Sequence, residues 1–155
     1  QLKSHMDTEL IELAKNATKT SYSPYSNFKV GAAVRMANGK VFTGSNQENA
    51  AYPSGLCAER TTLFYANAHY PNQNVVALDI AAAQNEDFLE EPISPCGACR
   101  QVMLEYEQKA KEPPKRFFFT VRLRNTVRHT SSKADFRKYT FSLSHNPLCR
   151  VLYVH

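Results

Sequence analysis

The chain has 155 residues, 43% of them hydrophobic, and a formal net charge of +5. That length suits a single domain with a real core and is short for two. No apolar run approaches the roughly 20 residues of a membrane helix, and the N-terminus lacks the charged-then-apolar build of a signal peptide. A cytoplasmic, reducing setting without membrane contact is therefore expected. In that setting the four cysteines point to metal ligands or inert thiols rather than a disulfide framework.

Ser4-His5-Met6 resembles a cloning remnant. Residues 1–5 are accordingly set aside, and 6–155 are read as one domain. Leu10, Ile11, Leu13, Ala14 and Ala17 recur at helical spacing, which predicts an amphipathic helix over 7–20. Pro24 ends any helical continuation. Phe28 to Met36 and Val41 to Thr43 flank Asn38-Gly39, a hairpin signal. Residues 46–56 read as a loop with Pro53 and Gly55, and Ala58 to Ala68 as a helix opening at Cys57. Val75 to Ala82 is a nearly continuous apolar run, as for a strand buried on both faces. Gly97 to Lys109 reads as a helix and Phe117 to Leu123 as a further strand. Strands interspersed with helices imply a layered α/β domain, with no repeat and no linker to a second one.

Two segments carry the chemistry: Cys57-Ala58-Glu59-Arg60, and Pro95-Cys96-Gly97-Ala98-Cys99. Three thiolates leave a tetrahedral zinc with an open fourth corner, the arrangement of catalytic rather than structural sites. Glu59 stands where a proton shuttle for water activated by the metal is needed. Each half alone has a plainer meaning. A C-x-x-C pair is as often half of a structural zinc site or a redox motif, and a lone glutamate favours a helix N-terminus electrostatically. Three thiolates also over-neutralise Zn²⁺, so charge has to be drawn from the sulfurs; helix N-termini at Cys57, Cys96 and Cys99 would do so.

The combination is more specific. Zinc deaminases of nucleobases carry His-or-Cys, x, Glu followed by Pro-Cys-x-x-Cys, with the glutamate outside the metal shell. On these residues the chain resembles the cytidine deaminases of the small, three-cysteine type. Ser21 to Ala33 (SYSPYSNFKVGAA) is similar to that family's N-terminal signature, and Gly44 to Arg60 to its substrate-and-zinc stretch. The likeness is close from about Ser21 to Met103. It implies a three-layer α/β/α sandwich around a mixed β-sheet, and one Zn²⁺ per subunit held by Cys57, Cys96 and Cys99. Glu59 would be the catalytic acid–base, and Arg60 would hydrogen-bond the ligand thiolates. Phe28 would line or stack on the base pocket, and Asn46 and Glu48 would bind the ribose hydroxyls. Tyr25, Tyr52 and Phe141 match positions that lie near the sugar or complete a neighbour's pocket in the homotetrameric members. The implied reaction is hydrolysis of cytidine and 2′-deoxycytidine to uridine and 2′-deoxyuridine plus ammonia, in pyrimidine salvage.

The likeness weakens after about Thr120. The family's Leu-Leu-Pro element before the terminal aromatic is replaced by Phe136-Arg137-Lys138, and His145 to His155 has no counterpart. Ten basic residues between Lys109 and Lys138 stand against Glu112 and Asp135 alone. Such a run is more often a solvated face than a phosphate-binding one. Cys149 has no partner motif and reads as a non-ligand. Three alternatives stand beside the leading reading. They are a deaminase of another aminopyrimidine nucleoside of the blasticidin S type, a deaminase of cytosine in RNA or single-stranded DNA, and a non-enzymatic zinc module with His129 or His145 as fourth ligand. A small nucleoside, not nucleic acid, is the expected partner.

Overall fold

A computed structural model describes residues 2–89, 93 and 95–110, together with the strands Arg122–Leu123, Thr126–Val127, Thr140–Ser142 and Arg150–Leu152. Helix α1 (Leu2–Ala17) runs into a 3₁₀ turn at Thr18–Thr20. It starts earlier than the periodicity predicts, since no Pro or Gly interrupts Leu2 to Asp7 and extending a formed helix is easy. Strands β1 (Phe28–Met36) and β2 (Val41–Ser45) follow, then α2 (Ala58–His69), β3 (Val75–Gln84), β4 (Asp87–Phe88) and α3 (Gly97–Lys109). Four strands form one sheet in the order β2-β1-β3-β4, each neighbour antiparallel. A parallel partner, which a mixed sheet requires, is not among the described strands of that sheet.

Side-chain alternation along β1 and β3 divides the core between two faces. Val30, Ala32, Val34 and Met36 of β1 join Leu78, Ile80 and Ala82 of β3 against Ala58, Leu63 and Ala66 of α2 and Cys99 and Met103 of α3. The opposite face presents Ala33 and Ala81 to Leu10, Ile11 and Ala14 of α1. Helices thus cover both sides of the sheet, which is the three-layer α/β/α arrangement. Burial of β3 on both faces holds from Leu78 through Ala83, whereas Val76 near the start of the strand is exposed. The layer under α1 is thin because its sheet residues are small, which brings helix backbone onto strand backbone at Gly31.

Of the strand predicted at 117–123, Arg122–Leu123 pairs with Thr126–Val127, and Phe117 to Val121 lie outside the described residues. Thr140–Ser142 pairs with Arg150–Leu152. Cys149, His129, His145 and Phe136 to Lys138 also lie outside the described residues.

Two turns differ in how well their residues suit them. In the β1–β2 connection Gly39 takes φ +83°, which glycine adopts without cost. The β3–β4 hairpin turns instead through Asn85 (φ 50°) and Glu86 (φ 70°), both left-handed as in a type I′ turn. Asparagine tolerates that region, whereas a glutamate there costs about 1–2 kcal/mol. Glu86→Gly is expected to stabilise the protein by about 1 kcal/mol in denaturant titrations; a lowered midpoint would show that Glu86 contributes a contact worth more than the strain.

Candidate metal centre and active site

Both cysteine motifs reach the site through helix starts. Cys57 caps α2 and Cys96 caps α3, each with extended backbone, and Cys99 follows in the first turn of α3. The local sequence explains this. Ala58-Glu59-Arg60 is a strong helix opening, and Pro95 before Cys96 disfavours helix upstream, so each chain turns into its helix at a thiol.

Cys96 Sγ lies 3.6 Å from Cys57 Sγ and 3.4 Å from Cys99 Sγ, and the three sulfurs fall within 4.8 Å of one another. All three thiols are free. A tetrahedral zinc with bonds of about 2.3 Å sets its sulfurs roughly 3.8 Å apart, so the observed cluster fits that ion. Cys57 is half-buried, Cys96 exposed and Cys99 buried, so the cluster opens to one side.

Donors converge on the sulfurs. The Cys99 backbone N–H points at Cys96 Sγ, 3.5 Å away, and Arg60 Nη2 at Cys57 Sγ, 3.9 Å away. Arg60 Nε is buried without a hydrogen-bond partner among the described residues. The Cys99 thiol and the Arg60 guanidinium together outweigh burial and hold Cys57 down at about 5. Cys99, its proton shared with Cys57 and its sulfur buried, is pushed up. The cluster therefore carries thiolate character at Cys57 before any metal is considered.

Glu59 follows Cys57 and is 4% exposed. Burial pushes its carboxyl up to about 7, and the neighbouring Cys57 charge adds to the shift. A carboxyl poised near neutrality can both accept and release a proton, the property that general acid–base work requires.

A second group of residues is tied to this centre by backbone. Gln47 N–H and C=O pair with Leu56, at 2.9 Å each, one residue before Cys57. On its other side the segment pairs with Tyr22, through Tyr22 N–H to Asn46 C=O at 3.0 Å and Glu48 N–H to Tyr22 C=O at 2.8 Å. Asn46 Nδ2 donates to Phe28 C=O at 2.8 Å, and Asn46 Oδ1 accepts from Val30 N–H at 2.8 Å. Glu48 accepts from the backbone N–H groups of Tyr25 at 3.0 Å and Ser26 at 3.3 Å, and from the Ser26 hydroxyl. These bonds, led by the Ser26 hydroxyl, hold its carboxyl below the usual range. Phe28, Asn46 and Glu48 are thus brought together at the start of β1.

Phe28 is half-buried against the main core. Tyr25 and Tyr52 project into solvent, 63% and 87% exposed. Phe141 lies in the strand Thr140–Ser142 opposite Val151, and its side chain is outside the described residues. Sequence reasoning missed Ser21 and Ser26, whose hydroxyls bond Asn46 and Glu48. Both sit in the SYSPYSNF segment, but a serine in a turn carries no chemical signature of its own.

The fold and the site define an α/β domain with a three-thiol metal centre beside a buried carboxylate. Residues 4–111 match the family model for the cytidine and deoxycytidylate deaminase zinc-binding region, and the chain belongs to that family. The cytidine deaminase of Halalkalibacterium halodurans is 47% identical over 96 residues, covering 62% of this chain and 68% of the relative. That of Sporosarcina psychrophila is 44% identical over 102 residues, covering 65% and 71%. Among solved structures, the cytidine deaminase of Burkholderia pseudomallei matches with a TM-score of 0.64 at 42% identity, covering 80% of this chain and 91% of that one. The Mycobacterium tuberculosis cytidine deaminase matches with a TM-score of 0.60 at 31% identity, covering 79% and 88%.

Proposed function

We propose that the protein is a zinc-dependent hydrolase that converts cytidine and 2′-deoxycytidine to the uridine products plus ammonia. The observation carrying this reading is the buried Glu59 carboxyl beside the sulfur cluster of Cys57, Cys96 and Cys99. A structural zinc module would need a fourth ligand and would leave Glu59 with nothing to do.

Cys57, Cys96 and Cys99 hold the zinc, which supplies the Lewis acidity that makes water nucleophilic near neutral pH. Glu59 takes one proton from the attacking water and passes it to ring nitrogen N3, then takes the second from the hydroxyl now on C4 and delivers it to the departing amine, so that C4 becomes a carbonyl. One carboxyl acts first as base and then as acid, the low polarity around it keeping its affinity for the proton near the midpoint of the two roles. Phe28 faces the base, while Asn46 and Glu48 bind the ribose hydroxyls. A carboxylate at the 3′-hydroxyl repels a 3′-phosphate, so a free nucleoside is favoured over a cytosine inside a polymer. Residues 6–155 act as one domain. The exposed Tyr25 and Tyr52 are the kind of rim that neighbouring subunits cover, which supports assembly as a homotetramer. No helix among the described residues is long and apolar enough to cross a membrane.

Arg60 tunes the sulfurs. Arg60→Ala is expected to leave the fold intact and to weaken zinc retention or turnover about tenfold; full zinc occupancy with unchanged turnover would remove Arg60 from the site. Substrate class is tested by comparing cytidine, cytidine 3′-monophosphate, blasticidin S and a cytosine-containing oligonucleotide. Preference for cytidine supports the reading. Salt-sensitive turnover of the oligonucleotide would instead favour a polymer substrate attracted by the basic stretch from Lys109 to Lys138.

A further inference from the structure

Asn46 and Glu48 are left with opposite hydrogen-bonding capacity, and two serines are what leave them so. Asn46 Oδ1 accepts from Val30 N–H and from Ser21 Oγ at 2.5 Å, which fills both lone pairs. One Nδ2 hydrogen goes to Phe28 C=O. Turning the amide over would set its NH₂ against the Val30 N–H, so the orientation is fixed. One N–H remains to offer, and Asn46 can only donate.

Glu48 has the reverse character. Tyr25 N–H and Ser26 N–H occupy one carboxylate oxygen, and Ser26 Oγ binds the other. Three of its roughly four acceptor positions are taken. The Ser26 hydroxyl in turn accepts from Phe28 N–H at 3.1 Å, so its single hydrogen is directed to Glu48. Residues 46 and 48 flank Gln47, whose backbone is bridged on both sides to Tyr22 and Leu56. In such an extended segment, alternate side chains share a face. One donor and one acceptor on one face match a hydroxyl, which accepts and donates at once.

We propose that Ser26 and Ser21 are positioning residues for sugar recognition: Ser26 sets the Glu48 carboxylate and Ser21 sets the Asn46 amide, so that the pair reads a ribose hydroxyl as acceptor and donor together. This rests on the reading of Asn46 and Glu48 as ribose ligands. Neither serine touches the reacting atoms, so its loss acts on binding and not on the proton steps at Glu59.

The test compares cytidine with 3′-deoxycytidine in the zinc-loaded wild type, Ser26→Ala, Ser26→Thr, Ser21→Ala, Glu48→Gln and the double variant Ser26→Ala/Glu48→Gln. For Ser26→Ala, KM for cytidine is expected to rise about tenfold with kcat changed less than about twofold, the size of one charge-assisted hydrogen bond. Ser26→Thr, which keeps the hydroxyl, restores KM to within about threefold. The penalty disappears with 3′-deoxycytidine, and also in the Glu48→Gln background, because the group that Ser26 positions then has nothing to bind. Ser21→Ala raises KM in the same substrate-dependent way. An Ser26→Ala defect of equal size on both substrates, or one that persists beside Glu48→Gln, would show a merely structural serine and overturn the proposal. A wild type with equal kcat/KM for the two substrates would refute the sugar reading itself, and the positioning role with it.

Discussion

Glu59→Gln is expected to keep one zinc per chain and to lose turnover by about 10²- to 10⁴-fold, the range that a positioned acid–base supplies. Glutamine preserves the volume of a side chain that is 4% exposed, so the helix start and the thiol cluster keep their packing. What disappears is a group whose pKa burial places at about 7. The amide can take no proton from water and has none to pass to the ring nitrogen or the leaving amine. Zinc retention in the variant separates this role from metal binding, because the sulfurs of Cys57, Cys96 and Cys99 form the cluster without the carboxyl. Zinc content by metal analysis and ammonia release, measured on the same sample, check both halves. Loss of the metal would place Glu59 in the metal shell, and retained turnover would remove it from the chemistry.

Gly31→Ala is expected to destabilise the protein by about 3 kcal/mol or more. A Cβ built at Gly31 would lie 2.0 Å from the Ala14 carbonyl oxygen and 2.7 Å from the Thr18 nitrogen. Both are backbone atoms, so no side-chain rotation relieves the clash, and α1 has to move off β1. The same strand begins at Phe28 and contributes Val30 N–H to Asn46, so displacement of β1 also disturbs the Asn46 amide. Gly39→Ala is the control. Its Cβ meets nothing within 4 Å among the described residues, although φ is +83°, so only the left-handed strain of about 1 kcal/mol applies. Denaturant unfolding of the two zinc-loaded variants should show the larger loss at Gly31. Equal midpoints would mean that helix and strand are not in backbone contact there.

The metal centre was legible in the sequence because its chemistry is written in residue type and spacing. Cys57-x-Glu59 and Pro95-Cys96-x-x-Cys99 can serve few other ends together, and helix-opening residues beside the thiols place them at N-termini. The β1–β2 hairpin was legible from Asn38-Gly39, whose glycine supplies the left-handed residue. The β3–β4 hairpin was not, since Asn85-Glu86 sets a glutamate at φ 70°, which no local preference announces. The start of α1 was misplaced because periodicity marks the buried face, Leu10, Ile11 and Ala14, and not how far a helix extends beyond it. Ser21 and Ser26 stayed hidden for another reason. Their hydroxyls bond partners 25 and 22 positions away, and a pairing of that range exists only once residues 21–26 and the Asn46–Glu48 segment are folded together.

Incubation of the metal-quantified protein with cytidine, following uridine and ammonia together, tests the proposed activity most directly. One ammonia per uridine formed, at a rate proportional to zinc content, is the predicted result. A protein carrying one zinc per chain that releases no ammonia from either cytidine or 2′-deoxycytidine would contradict it.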